Sequence, residues 1–198
     1  MSAPPNASGP LPWPQWAYVP GEAGLDADYE TLAMAKALVP SAFRGHVPAR
    51  HPALRYGLAL NDRGYFWEAQ EVLEAVWAAA PQGGRERILL RACIRIANAN
   101  LRLRMQRSHS AARLFGDALA ELRALSSRKA AAGDGFVESF PIAALTALLQ
   151  AKLGRPQLSK ADWIALGAIV RPRHWHETKC MYWLLRTRRA LKYALLCI

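Results

Sequence analysis

The stretch Tyr65–Ala79 constrains the fold of this chain most. At about 100° per residue, Phe66, Ala69, Leu73, Val76 and Trp77 fall on one face, with Val72 at its border. Gln70 and Glu74, spaced i,i+4, flank that face, and Glu71 and Glu68 lie progressively further round. Asn61-Asp62-Arg63-Gly64 supplies a turn before this helix, and Pro81-Gln82-Gly83-Gly84 ends it. A helix with one apolar face buries it against other helices, so the expectation is an all-α, single-domain helical bundle.

The rest of the chain carries the same period. A short helix is expected over Ala27–Leu38, with Asp26 or Asp28 as its N-cap. Pro40, Gly45, Pro48 and Pro52 mark a loop, and Pro52–Asn61 reads as the next helix. A long helix is expected from Arg85 to Arg107, with Leu89, Leu90, Cys93, Ile94, Ala97 and Leu101 as its apolar stripe. Arg91, Arg95, Asn98 and Arg102 fall on the opposite stripe. Asn100 projects to the apolar side and needs a hydrogen-bonding partner if buried. Ser108 or Ser110 is expected to cap a helix reaching Leu125, with Leu114, Ala118, Leu122 and Leu125 inward. Pro141–Leu153 is a further helical run, stopped by Gly154-Arg155-Pro156. No strand pattern of useful length and no internal repeat is present.

The ends differ in composition. Six of the 13 prolines fall in the first twenty residues, which predicts an extended N-terminal arm over 1–25. Trp13, Trp16 and Tyr18 are expected to pin that arm to the bundle, residues 26–154. Residues 155–198 read as a basic C-terminal extension. From Arg171 onward it has seven Lys/Arg (Arg186, Arg188 and Arg189 among them) against Glu177 alone. Its Met181, Leu184, Leu185, Leu191 and Leu195 suit docking on the bundle, and its arginines and aromatics suit RNA or an anionic membrane surface. His174, His176, Glu177 and Cys180 are metal-capable but match no standard zinc spacing.

The 26 Lys+Arg against 15 Asp+Glu give a formal charge of +11, a field that attracts nucleic acid. The three cysteines, Cys93, Cys180 and Cys197, are odd in number and unpaired in sequence, which argues for reduced thiols and a cytoplasmic setting. The first residues lack the basic and apolar regions of a secretory signal, and no apolar run has membrane-spanning length. Phosphate-cradling G-x-x-x-x-G-K-[ST] and G-x-G-x-x-G loops are absent.

The segment Tyr56–Ala112 resembles a bacterial and plastid family, the domain of unknown function 309 family. The resemblance rests on Gly64-Tyr65-Phe66-Trp67-Glu68-Ala69-Gln70-Glu71-Val72-Leu73-Glu74-Ala75-Val76-Trp77. It extends to Arg85–Leu90, Ile96–Asn100, Leu103-Arg104-Met105 and Tyr18-Val19-Pro20-Gly21, roughly half of the chain with the helices between. It implies an all-helical bundle without a securely established activity. The label often attached to the family, a predicted metal-dependent hydrolase, rests on a Glu-Ala-His-Glu box whose side chains can ligate a divalent ion. Here Gln70 stands in place of that histidine, and glutamine is a poor ligand and no general base near neutral pH. Asn61-Asp62 replaces the family's aromatic-Asn pair, and Arg91 and Arg95 stand where glutamine is common.

The functional expectation is therefore a non-enzymatic binding or scaffold module with no cofactor and with a protein partner or self-association. Its candidate polar site is Glu68, Gln70, Glu71, Glu74, Arg91, Arg95 and Asn98. One alternative is a metal-dependent hydrolase-like protein with an altered site, for which Glu71 and Glu74 are the metal candidates. The other is an RNA-binding accessory protein using Arg91, Arg95, Arg102, Arg186, Arg188 and Arg189. If the helices are antiparallel neighbours, Arg91, Arg95 and Arg102 are expected to compensate Glu68, Glu71 and Glu74.

Overall fold

The computed structural model describes residues 11–22, 26–128 and 135–167. These form an all-α bundle: α1 (Tyr29–Ala37), α2 (Pro52–Asp62), α3 (Phe66–Ala79), α4 (Arg85–Arg104), α5 (Ser108–Ser126), α6 (Phe136–Ser139) and α7 (Ile142–Leu153), then a 3-10 turn, Lys160–Asp162. The stretch beyond residue 167, with the expected Arg186, Arg188 and Arg189 and the His174–Cys180 cluster, lies outside the described residues.

The helix α4 is the axis of the bundle, lying between α3 and α5, with α2 packed on α3 and α7 on α5. Arg91, Arg95, Asn98 and Arg102 occupy a narrow polar arc of α4, as the helical period requires. Nearly everything else on it is buried, including Ile88, Ala92, Ile96, Ala99 and Leu103 outside the expected stripe. Ile94, expected inward, is only partly buried.

Local chemistry sets several boundaries. Asp28 caps α1, its Oδ1 accepting from the Thr31 N–H at 3.1 Å. Pro52 opens α2, a first-turn position where a missing N–H costs nothing. Gly64, at φ +87°, makes the left-handed turn from α2 to α3, a conformation that disfavours a Cβ. In α2, Gly57 lets α3 approach closely: a Cβ there would lie 2.9 Å from Leu73 Cγ. The expected Ser108 or Ser110 cap of α5 is not found; Arg107 holds the N-cap position and Ser108 is the first helical residue. The chain turns there through Gln106, at φ +60°, and the N-cap Arg107 makes no side-chain cap bond.

The described part of the arm is pinned by its aromatics, as expected. Trp13 stacks on Tyr56 with ring centroids 5.3 Å apart, and the Arg63 guanidinium sits 3.9 Å over the Trp13 ring. The Tyr56 hydroxyl donates to Pro12 O at 2.6 Å, and burial pushes its pKa up to about 12. Trp16 Nε1 donates to Asp26 O at 2.8 Å. Tyr18 meets Trp67 edge-on at 4.9 Å, while Val19 joins Phe66 and Leu101 in a small apolar cluster.

Candidate functional site

The polar edge of α3 does not gather its charges into one site. Glu68 is fully buried, and its Oε1 accepts from the Tyr18 backbone N–H at 2.6 Å. Its Oε2 is buried without a partner among the described residues. Burial raises the Glu68 pKa, against the pull of the Tyr18 N–H and of the Arg104 charge. Glu71 pairs with Lys36 of α1 at 2.7 Å. Gln70 Nε2 donates to Glu74 Oε1 at 2.9 Å on the exposed surface. Among the described residues, no group of three or more His, Cys, Asp and Glu side chains is placed to hold a metal ion.

The arginines of α4 find other partners than the expected glutamates. Arg91 Nε lies 2.7 Å from Glu121 Oε1, and Arg95 Nη1 lies 3.0 Å from Asp117 Oδ2. The order of these contacts shows α5 running antiparallel to α4, so two i,i+4 pairs interlock. The polar arc of α4 faces α5 and not α3, which is why Glu68, Glu71 and Glu74 do not reach it. An open groove of ≈ 540 Å³ follows this seam, lined by Arg87, Arg91, Arg95 and Arg128 with Asp117 and Glu121. At one end the Arg87 guanidinium covers the Trp77 ring at 3.9 Å and Arg128 donates to Gly83 O at 3.0 Å. Arg102 is partly exposed on the same arc, and Asn98 Oδ1 is buried without a hydrogen-bond partner among the described residues.

A third arrangement joins α2 and α4. Asn61 and Asn100 are fully buried, with Asn100 Nδ2 donating to Asn61 Oδ1 at 2.8 Å. Both side chains donate to the carbonyl of Ile164, Asn61 at 3.0 Å and Asn100 at 2.9 Å. The Ile164 N–H donates back to Asn100 Oδ1 at 2.9 Å. Asp62 Oδ1 accepts from two successive backbone N–H groups, Leu166 at 2.6 Å and Gly167 at 3.0 Å. Residues 163–167 are thus gripped by their main chain, while Ile164 and Leu166 are buried among the core side chains. Asn100 was legible in the sequence as a polar residue on the apolar side of α4. Asn61 and Asp62 were read as part of a turn and as departures from the family pattern, and their partners lie 103 and 104 residues away.

A family model described as a domain of unknown function (DUF309) matches residues 54–114. The match runs from the first turn of α2 to the middle of α5 and takes in Gly64–Trp77, from which the resemblance was read. No curated protein and no solved structure matches the chain. Among the described residues, no helix is long and apolar enough to cross a membrane.

Proposed function

We propose that the chain is a non-enzymatic binding or scaffold module working in the cytoplasm. One observation carries this reading: the three carboxylates of α3 are directed to three separate structural partners, the Tyr18 N–H, Lys36 and Gln70. Metal ligation or paired acid–base chemistry needs such groups to converge on one open space. Here Glu68 ties down the arm, Glu71 ties down α1, and Glu74 bonds within its own helix. Elemental analysis and thermal melts of wild type and Gln70→His, with and without Zn²⁺, Mn²⁺ or Mg²⁺, test the reading. No stoichiometric metal and an unmoved melting temperature are expected in both proteins. Metal binding to the folded state would raise the melting temperature by mass action. A bound metal with such a rise replaces this reading with the altered metal-dependent hydrolase.

A second reading, an RNA-binding accessory protein, is supported by the groove between α4 and α5. Four arginines line it, and among the described residues only Arg91 and Arg95 of these are paired with acids. If Arg87 and Arg128 meet phosphates, single-stranded RNA binding should weaken by about 0.7 logarithmic units per contact for each tenfold rise in salt. Arg87→Ala with Arg128→Ala should then reduce both affinity and slope.

A further inference from the structure

The clamp on residues 163–167 has the chemistry of a peptide-binding groove. The Asn100 amide meets both the N–H and the C=O of Ile164, as a neighbouring β-strand would. Asn61 adds a second donor to that carbonyl, and Asp62 takes the N–H groups of Leu166 and Gly167, passing over that of Ala165. None of these bonds depends on the side chains of the segment being held. Side-chain selection comes from elsewhere. Ile164 and Leu166, two apart in a segment that bends at Leu166, are 1% and 0% exposed. Trp163 lies outside them against Phe66, at 6.0 Å between ring centroids. At Gly167 an added Cβ would lie 3.0 Å from Asp62 Oδ2, so the last position favours glycine.

The gripping groups and the gripped segment belong to different parts of the chain. Asn61, Asp62, Phe66 and Asn100 all fall within residues 54–114, the matched domain, and residues 163–167 fall outside it. Resting on the binding-module reading above, we propose that the cleft between α2 and α4 is a receptor for a partner peptide of the pattern aliphatic-x-aliphatic-Gly, and that residues 163–167 are a built-in occupant which such a peptide replaces.

The test uses the full chain. In the double variant Ile164→Asp, Leu166→Asp the internal occupant loses its apolar anchors and leaves the cleft. A fluorescein-labelled peptide with the sequence of residues 158–167 should then bind saturably, read by anisotropy. Wild type should bind it at least about tenfold more weakly, because the tethered segment competes at millimolar-scale effective concentration. A peptide with aspartate in place of its Ile and Leu should not bind, and adding Asn100→Leu to the variant should abolish binding. A folded variant that ignores the peptide, or that binds both peptides equally, overturns the proposal. Hydrogen exchange on wild type decides the matter if the variant does not fold. The amides of Ile164, Leu166 and Gly167 should exchange through a local opening, well before Cys93 and Ile96 of α4; equal protection overturns the proposal. Metal titration has no bearing on either readout, so failure here is distinct from failure of the non-enzymatic reading.

Discussion

The carboxylate of Glu68, on α3, accepts the backbone N–H of Tyr18, on the arm, across 50 residues of sequence at 2.6 Å. The bond ties an irregular segment to the centre of the matched domain. It also confines an ionisable group where water cannot reach it. Burial raises the Glu68 pKa above its ordinary value, so the folded state favours the protonated form. Stability from this group is present below the unfolded pKa, about 4.3, and is lost as pH rises through the folded value. Glu68→Gln keeps an acceptor for Tyr18 and removes the ionisation. It should equal or exceed wild type in stability at pH 8 and flatten the decline from pH 5. Glu68→Ala, which leaves the Tyr18 N–H unpaired, should cost about 1–3 kcal/mol in urea denaturation.

Asn100 holds three polar groups that have no access to water, the N–H and C=O of Ile164 and the side chain of Asn61. Asn100→Ala should destabilise the chain by at least about 2 kcal/mol, since buried groups left unpaired cost more than a hydrogen bond contributes. Hydrogen exchange should show the loss first at Ile164.

Gly57 sets the distance between α2 and α3. A methyl group there meets Leu73 Cγ and Cδ2 at 2.9 Å, and Leu73 is fully buried. Gly57→Ala should cost about 1–3 kcal/mol through overpacking, measured by thermal or chemical unfolding. An alanine at Gly116 of α5, where a Cβ meets nothing within 4 Å, is the control and should be neutral or stabilising.

Asp162 closes the 3-10 turn. The Ser159 backbone N–H is the largest cause of its lowered pKa, about 2, with the Ser159 hydroxyl and Lys152 adding to it. Arg155 also bonds this carboxylate. A depressed pKa contributes stability that is present above the unfolded value, about 3.9, and lost as pH falls through the folded one. Asp162→Asn should therefore be less stable than wild type at pH 7, with the gap closing between about pH 4 and pH 2. Urea melts across that range measure it.

Periodicity located the long helices because each buries a face, and the face is written locally. It placed Arg91, Arg95 and Arg102 on the right arc of α4 but paired them with the wrong helix, since period says nothing about which neighbour an arc meets. The helix α6, four residues long, is too short to show any period. Glu68 read as a residue well round from the apolar face, because the arm around Tyr18, whose N–H it accepts, approaches from a distant part of the chain. The same holds for the clamp: Asn100 signalled an unmet need for a partner, while nothing near Ile164 announced that its backbone would supply one. Local patterns thus gave the bundle, and the polar contacts that tie remote segments to it became visible only with the helices assembled.

Cys93 sits in the middle of α4 with no exposed surface, and burial pushes its thiol up to about 12. Only a thiolate reacts quickly with alkylating reagents. In the intact bundle this sulfur is both shielded and protonated, so a reagent marks it only during moments when the helical axis comes apart. Peptide mapping separates its tag from those on Cys180 and Cys197. The protein therefore carries its own stopwatch for core opening, and the labelling rate at Cys93 reads the lifetime of the closed bundle without any introduced probe.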